Sequence, residues 1–293
     1  MKKISVIGTG KMGSAFAKTL VKANLDVHVW DQFEGATKSS VESGAKLAAN
    51  LNDALEVSEI IISLVSSASI GIELFEKVDP SLFKGKYIIN FSTALPEDGE
   101  KFQTLIESNK GYFINAAISS YPDLIGSSLT VIQYAGPKEY FSAVENSIKP
   151  LAPEATLYVG TNLKKPAIVD AAMTGSFYAV ALAGFVEACA YLNSQGIDPL
   201  ESEDFAYKMV DLLKYKIKKT LGEIKNNDFS TIQATVDVYY DATIQWRDAL
   251  NEAGLKGSLI SAVASDLKDA QQQGQGNLGF TSQYLSAKKI SKN

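Results

Sequence analysis

The sequence predicts an α/β protein: an N-terminal half built on a mostly parallel sheet, a long connecting helix, and an all-α C-terminal half. Three observations carry that reading. Short apolar runs alternate with helical patterns up to Gly160, which is how successive strand–helix–strand units read. Several of the runs are continuous and β-branched, as strands buried on both faces are. Beyond Gly160 the strand patterns stop and alanine-rich helical ones take over.

In order, "KISVIG" reads as a strand. "MGSAFAKTLVKAN" reads as a helix, with apolar or small residues at Met12, Ala15, Phe16, Leu20 and Val21. "DVHVW", "EIIISLVS", "KYIINFS", "GYFINAAIS", "LTVIQYAG" and "ATLYVG" are the next strands, linked by helical crossovers of right-handed sense. The stretch from Lys164 to Gln195 then reads as about 30 helical residues, roughly 45 Å long. Pro166 suits its first turn and Gly196 its C-terminal stop. Its many small residues, Ala171, Ala172, Gly175, Ala179 and Gly184 among them, allow other helices to approach closely. Three further helical patterns follow, and "SAKKISKN" reads as a frayed tail.

Composition excludes several classes of function. The formal net charge is −5, and Arg247 is the one arginine, which argues against nucleic acid or an anionic membrane as partner. With Cys189 the only cysteine, no internal disulfide forms, and a reducing, cytoplasmic setting is expected. His28 is the single histidine and sits at strand spacing, so neither a histidine-based metal site nor a Ser-His-Asp arrangement is expected. The basic start "MKKISVIG" meets a glycine turn too early to be a signal segment. No apolar run reaches about 18 uninterrupted residues, so no membrane span is expected.

Gly8-Thr9-Gly10-Lys11-Met12-Gly13 is a G-x-G-x-x-G turn that follows a strand, opens a helix and precedes a second strand ending in Asp31. In that context the pattern signals a dinucleotide grip. Gly8 makes the tight turn, Gly10 lets backbone approach the pyrophosphate, and Gly13 lets helix and strand pack closely. The helix N-terminus offers free N–H groups to the phosphates. Asp31 would accept from the adenosine ribose hydroxyls, which suits NADH, and would repel a 2′-phosphate. Gln32, Phe33 and Glu34 after it include no cation. Residues 1–162 are thereby expected to form a Rossmann dinucleotide-binding domain. Residues 163–293 are expected to form a helical dimerisation and substrate domain, with 163–195 as the interdomain helix. Val65, Ser66 and Ser67 close one strand, and Ser92 and Thr93 another. Ligands of open α/β sheets bind at such strand ends, so these residues are cofactor candidates.

Asp170 is a lone carboxylate in an apolar helix run, with Met173 and Thr174 at the positions where an ion-pair partner would stand. An apolar setting favours the neutral acid, the form a proton donor needs.

Several segments together resemble the imine reductases, within the β-hydroxyacid dehydrogenase group (the 6-phosphogluconate dehydrogenase-like superfamily). They are "VIGTGKMGSAFAKTLVKANLDVHVW", "IINFSTALPEDGEKF", "FINAAISSYPDLIGSSLTVIQYAGP", "WRDALNEAGL" and "QQQGQGNLG", and the resemblance they mark extends over nearly the whole chain. The A-I-x-x-x-P-x-x-I-G spacing is met by Ala117, Ile118, Pro122, Ile125 and Gly126. The hydroxyacid enzymes carry a lysine followed four positions on by asparagine. Here Ile168 and Val169 stand at that offset from Lys164 and Lys165. Asp170, in Asp170-Ala-Ala-Met-Thr-Gly175, matches the D-x-A-x-x-G-like stretch of imine reductases.

The resemblance implies an NAD(P)H-dependent oxidoreductase that reduces a C=N bond by hydride transfer, with Asp170 as proton donor or iminium anchor. It implies a small imine, iminium or carbonyl substrate and an intertwined homodimer. Two alternatives stay open: a β-hydroxyacid dehydrogenase acting on a 3-hydroxy acid, and a cofactor-binding protein without turnover. The sequence departs from the family at Asp31-Gln32-Phe33, where an Asn-Arg-Thr/Ser reader of the NADPH 2′-phosphate is usual. It departs again at Gln245-Trp246, where a histidine often occurs. Candidate substrate residues are Ser119 and Thr174, Tyr121 and Pro122 as a lid, and Met173, Phe177 and Tyr178 near one helical face after Asp170. Tyr239 and Trp246 are added from the C-terminal half.

Overall fold

The computed structural model describes residues 2–33, 35–93, 95 and 97–287, so the end of the tail, from Lys288 on, lies outside the described residues. The chain divides into two compact units, Met1–Ser176 and Phe177–Asn293. In the first, β1 (Ile4–Ile7), α1 (Lys11–Lys22), β2 (Val27–Trp30), α2 (Lys38–Glu42) and β3 (Lys46–Leu47) come first. They are followed by α3 (Leu51–Glu56), β4 (Ile60–Ser63), α4 (Ala68–Phe75), β5 (Tyr87–Asn90) and α5 (Asp98–Ser108). β6 (Tyr112–Ser119), β7 (Val131–Ala135), α6 (Lys138–Ile148) and β8 (Thr156–Tyr158) complete the sheet.

The eight strands are ordered β3-β2-β1-β4-β5-β6-β7-β8, and every pairing is parallel except β6 with β7. β6 and β7 are joined by a loop with no crossover helix, so β7 returns antiparallel. The two-residue edge strand β3 has no apolar run to signal it in the sequence. Successive side chains leave the sheet on opposite faces, and each face carries its own core. Ile4, Val6, Ile60, Ile62 and Ile89 join Phe16 and Leu20 of α1 on one face. Ile7, Ile61, Ile88 and Phe113 join Phe75 of α4 and Phe102 of α5 on the other. Strand order reverses beside β1, whose neighbours are β2 and β4. The ends of β1 and β4 therefore part into a crevice, the place where ligands of such sheets bind.

The long helix runs Lys165–Ser194, within one residue of the sequence reading at each end. Gly196, at φ +75°, stops it, with Ile197 N–H donating to the Leu192 carbonyl. It is not a regular α-helix. α7 (Lys165–Asp170) gives way to a π-helical stretch, Ala171–Ala179, before α8 (Val180–Ser194). Hydrogen bonding from i to i+5 widens the turn, and Met173, Thr174, Phe177 and Tyr178 all lie within that stretch. By length and composition alone this helix is also apolar enough to cross a membrane. The expectation of no such segment counted uninterrupted runs, and isolated polar residues break the run without lowering its average.

The second unit continues with α9 (Glu203–Asn226), α10 (Val236–Glu252), α11 (Ser258–Gln272) and α12 (Gln283–Ser286). Its core is small: Val236, Leu267 and Ala270, with Tyr239 and Tyr240 against them.

Candidate active site

The glycine turn is built as its spacing requires. Gly8 has φ +90°, a left-handed conformation natural to glycine, and a Cβ there would overlap the Leu64 carbonyl. A Cβ on Gly13 would overlap the Gly8 carbonyl oxygen, so α1 leaves β1 at a distance only glycine permits. A Cβ on Gly10 would meet nothing within 4 Å. Gly10 thus faces open space at the N-terminus of α1, where unpaired N–H groups and the helix dipole favour an anion.

Asp31 braces this turn. Its Oδ2 accepts from Thr9 N–H (2.7 Å) and from the Thr9 hydroxyl (3.2 Å), and its Oδ1 accepts from Phe33 N–H (2.9 Å). An ionised carboxylate offers about four lone-pair sites, so capacity remains for a ribose hydroxyl. Gly10, Lys11, Asp31, Gln32, Phe33 and Ser66 line one pocket of about 370 Å³ over the crevice.

A second pocket, of about 210 Å³, adjoins it and shares Met12, Leu64 and Val65. Its remaining walls are Phe91, Ser92 and Thr93 after β5, Asn115–Ile118 of β6, and Ala167 and Asp170 of α7. Asp170 is half-buried, and its buried Oδ1 has no hydrogen-bond partner among the described residues. An orphan buried acceptor is costly, so a carboxyl in this state is suited to meet a donor or cation delivered into the pocket.

The other expected residues divide. Ser92 lines the second pocket, but its hydroxyl accepts from Val65 N–H (3.0 Å) and donates to the Ser63 carbonyl (3.5 Å), stapling the ends of β4 and β5. Ser67 caps α4, accepting from Ile70 N–H (3.3 Å), and lines neither pocket. Ser119 and Thr174 meet hydroxyl to hydroxyl at 2.9 Å, tying β6 to the π stretch. Tyr121, Pro122 and Met173 line neither pocket, and Tyr121 and Met173 are exposed. Phe177, Tyr178, Tyr239 and Trp246 belong to the second unit. There Tyr239 packs edge-on against Phe280 at 4.9 Å, while Phe177, Tyr178 and Trp246 are exposed.

Sequence reasoning missed Asn90 and Asn115. "YIIN" and "YFIN" end in the same residue at the same register of paired strands, and that repetition was the available signal. Electrostatic effects lie off the crevice: burial pushes the Tyr134 hydroxyl well above the ordinary tyrosine range and holds His28 below the ordinary histidine range, and Lys46 beside Asp26 holds that carboxyl low.

Residues 3–160 match the NAD binding domain of 6-phosphogluconate dehydrogenase. Residues 164–289 match the C-terminal domain described as NADPH-dependent reductive aminase-like. The chain is 26% identical over 194 residues to an NADPH-dependent reductive aminase of Aspergillus oryzae, covering 66% of this chain. The aligned stretch spans 64% of that relative, less than two thirds of its length. An imine reductase from Pseudomonas sp. has the same fold at TM-score 0.94 and 29% identity, over 98% of this chain and 99% of that one. A reductive aminase from Aspergillus terreus, in complex with NADPH4, cyclohexanone and allyl amine, shares the fold at TM-score 0.90 and 22% identity, over 98% and 99% of the two chains. With residues 3–160 and 164–289 matched in turn, the chain belongs to the family that carries the NAD binding domain of 6-phosphogluconate dehydrogenase, followed here by a reductive aminase-like C-terminal domain.

Proposed function

We propose that this protein reduces the C=N bond of an imine or iminium, formed in place or supplied, to an amine. The observation that carries the reading is Asp170: a half-buried carboxyl lining the pocket beside the glycine turn, with one oxygen unpaired. The residues present fit a nicotinamide dinucleotide. The open face at Gly10 and the free N-terminus of α1 suit its pyrophosphate, and Asp31 suits an unphosphorylated ribose. When bound, the reduced nicotinamide supplies a hydride to the imine carbon.

The chain's own groups do the rest. The α1 N-terminus and Asp31 anchor the dinucleotide at the far pocket. Phe91, Ala116, Ala117 and Ile118 give the near pocket apolar walls that exclude water. Asp170, as a carboxylate, holds a protonated iminium nitrogen by charge; as the neutral acid, it donates its proton to that nitrogen. NADH is the favoured form, because Asp31 opposes a 2′-phosphate and no basic residue follows it before Lys38. A second copy of the chain completes the working particle, which is cytoplasmic; the bare apolar faces of α8 and α9 support the pairing.

Cofactor oxidation across cyclic imines, ketone-plus-amine mixtures and 3-hydroxy acids tests the reading. Imines and mixtures are turned over and hydroxy acids are not. Asp170→Asn is expected to lower kcat about 100-fold, the scale of a lost proton donor, with NADH affinity kept within about twofold. Equal rates in parent and variant would remove Asp170 from the chemistry.

A further inference from the structure

We propose that Asn115 is a positioning residue. By donating to the Leu163 carbonyl it holds the start of the helix that carries Asp170, and so fixes where that carboxyl meets the substrate nitrogen. The inference rests on the role given to Asp170 above.

The bonding scheme leaves no freedom in the amides. Asn90 and Asn115 stand in register on the parallel strands β5 and β6 and are both fully buried. Asn90 Oδ1 accepts from Ser92 N–H at 3.2 Å. Its amide nitrogen must then face Asn115, and it donates to Asn115 Oδ1 at 2.9 Å. The Asn115 amide nitrogen is left to donate to the Leu163 carbonyl, at 2.8 Å. A backbone N–H, which can only donate, thus orients both side chains. Leu163 is itself buried, two residues before α7 begins at Lys165.

Three further features give this bond its weight at the start of the helix, which the Ser119–Thr174 bond ties to β6 again beyond Asp170. Asp170 Oδ1 has no partner among the described residues, so no hydrogen bond at that oxygen helps to place it. The neighbouring Lys164–Glu100 ion pair, at 3.2 Å, is solvent-exposed, where such pairs hold weakly. Gly99 on α5 lies directly over the bond. A Cβ there would stand 3.0 Å from Asn115 Nδ2 and 3.2 Å from the Leu163 oxygen. Helix α5 closes over the link, and only glycine leaves it undisturbed.

Two substitutions test this in the full-length protein. Asn115→Asp keeps shape and still accepts from Asn90, but sets a carboxylate oxygen against the Leu163 carbonyl. At neutral pH its kcat for a cyclic imine is expected to fall about tenfold, the scale of one lost buried hydrogen bond, with KM and NADH affinity within about twofold of parent. Amide hydrogen exchange of residues 164–170 is expected to quicken. As the pH is lowered the new carboxyl protonates, regains a donor for Leu163, and the ratio of variant to parent kcat rises. Gly99→Ala presses on the same bond from outside the pocket. It lowers kcat in the same direction, and its ratio to parent does not recover with acid.

Unchanged kcat or unchanged exchange in folded Asn115→Asp overturns the proposal. So does a loss that follows weakened NADH binding, which would make Asn115 part of the cofactor site. If the parent turns over no imine, the reading of Asp170 fails. Exchange over 164–170 then decides by itself whether Asn115 anchors the helix.

Discussion

Asp31 is the residue where stability and cofactor choice meet. Both of its oxygens accept from backbone N–H groups, of Thr9 and of Phe33. An asparagine in its place has one accepting oxygen, so one of those donors would face an NH2 group. The charge that would repel a 2′-phosphate would also be gone. Asp31→Asn is therefore expected to shift the ratio of kcat/KM for NADH over NADPH toward NADPH by about tenfold or more. It should also cost about 1–2 kcal/mol of stability, the price of a lost charge-assisted bond. Initial rates with the two cofactors side by side, and a denaturant titration, measure both. An unchanged cofactor ratio would show that Asp31 acts only as a brace.

At the scale of elements, the three glycines of the turn separate packing from binding. Gly13 lets α1 lie on β1, and a methyl there collides with the Gly8 carbonyl. Gly13→Ala should destabilise by about 2 kcal/mol or more through overpacking. Gly10 has an ordinary φ of −59° and open space around it. Gly10→Ala should leave the unfolding midpoint almost unmoved, within about 0.5 kcal/mol, while weakening dinucleotide binding by intruding where the pyrophosphate approaches. Thermal unfolding and fluorescence titration with NADH check the contrast. If Gly10→Ala binds NADH as tightly as parent, the open face at Gly10 is not the phosphate site. The π stretch after Asp170 belongs to this scale too: it contains the weak helix formers Thr174, Gly175 and Ser176, which lower the local preference for a regular helix without specifying a wider turn. Its Ser119–Thr174 bond joins residues far apart in the chain.

For the whole molecule, the exposed apolar surface of the C-terminal helices is the feature that carries a prediction. Neither α8 nor α9 contains a buried residue. Phe185 and Val186 on α8, and Phe205, Val210, Leu212 and Leu221 on α9, are each at least half exposed. Apolar faces of this extent mark interaction surfaces. Light scattering is expected to give the mass of two chains in detergent-free buffer. Val210→Glu combined with Leu212→Glu should release monomer and lower the unfolding temperature. Recovery of the parent protein in the membrane fraction, soluble only with detergent, would instead assign these faces to lipid.

Local signals in the sequence determined the strands of the sheet other than β3, the long helix and its ends, and the glycine turn with Asp31, and they singled out Asp170 as a candidate. Each rests on residues close in the chain: β-branched runs, a glycine spacing, a proline and glycine at helix ends, a lone acid in an apolar run. The tertiary structure decided what those signals cannot reach. It turned β7 antiparallel, widened the helix after Asp170, gave the Ser92 hydroxyl to a staple and the Ser67 hydroxyl to a cap. It also brought Asn90, Asn115 and Leu163, distant in sequence, into one buried chain of hydrogen bonds. The physical reason is that a side chain's partners are set by strand order and register, and these arise only when the sheet is assembled.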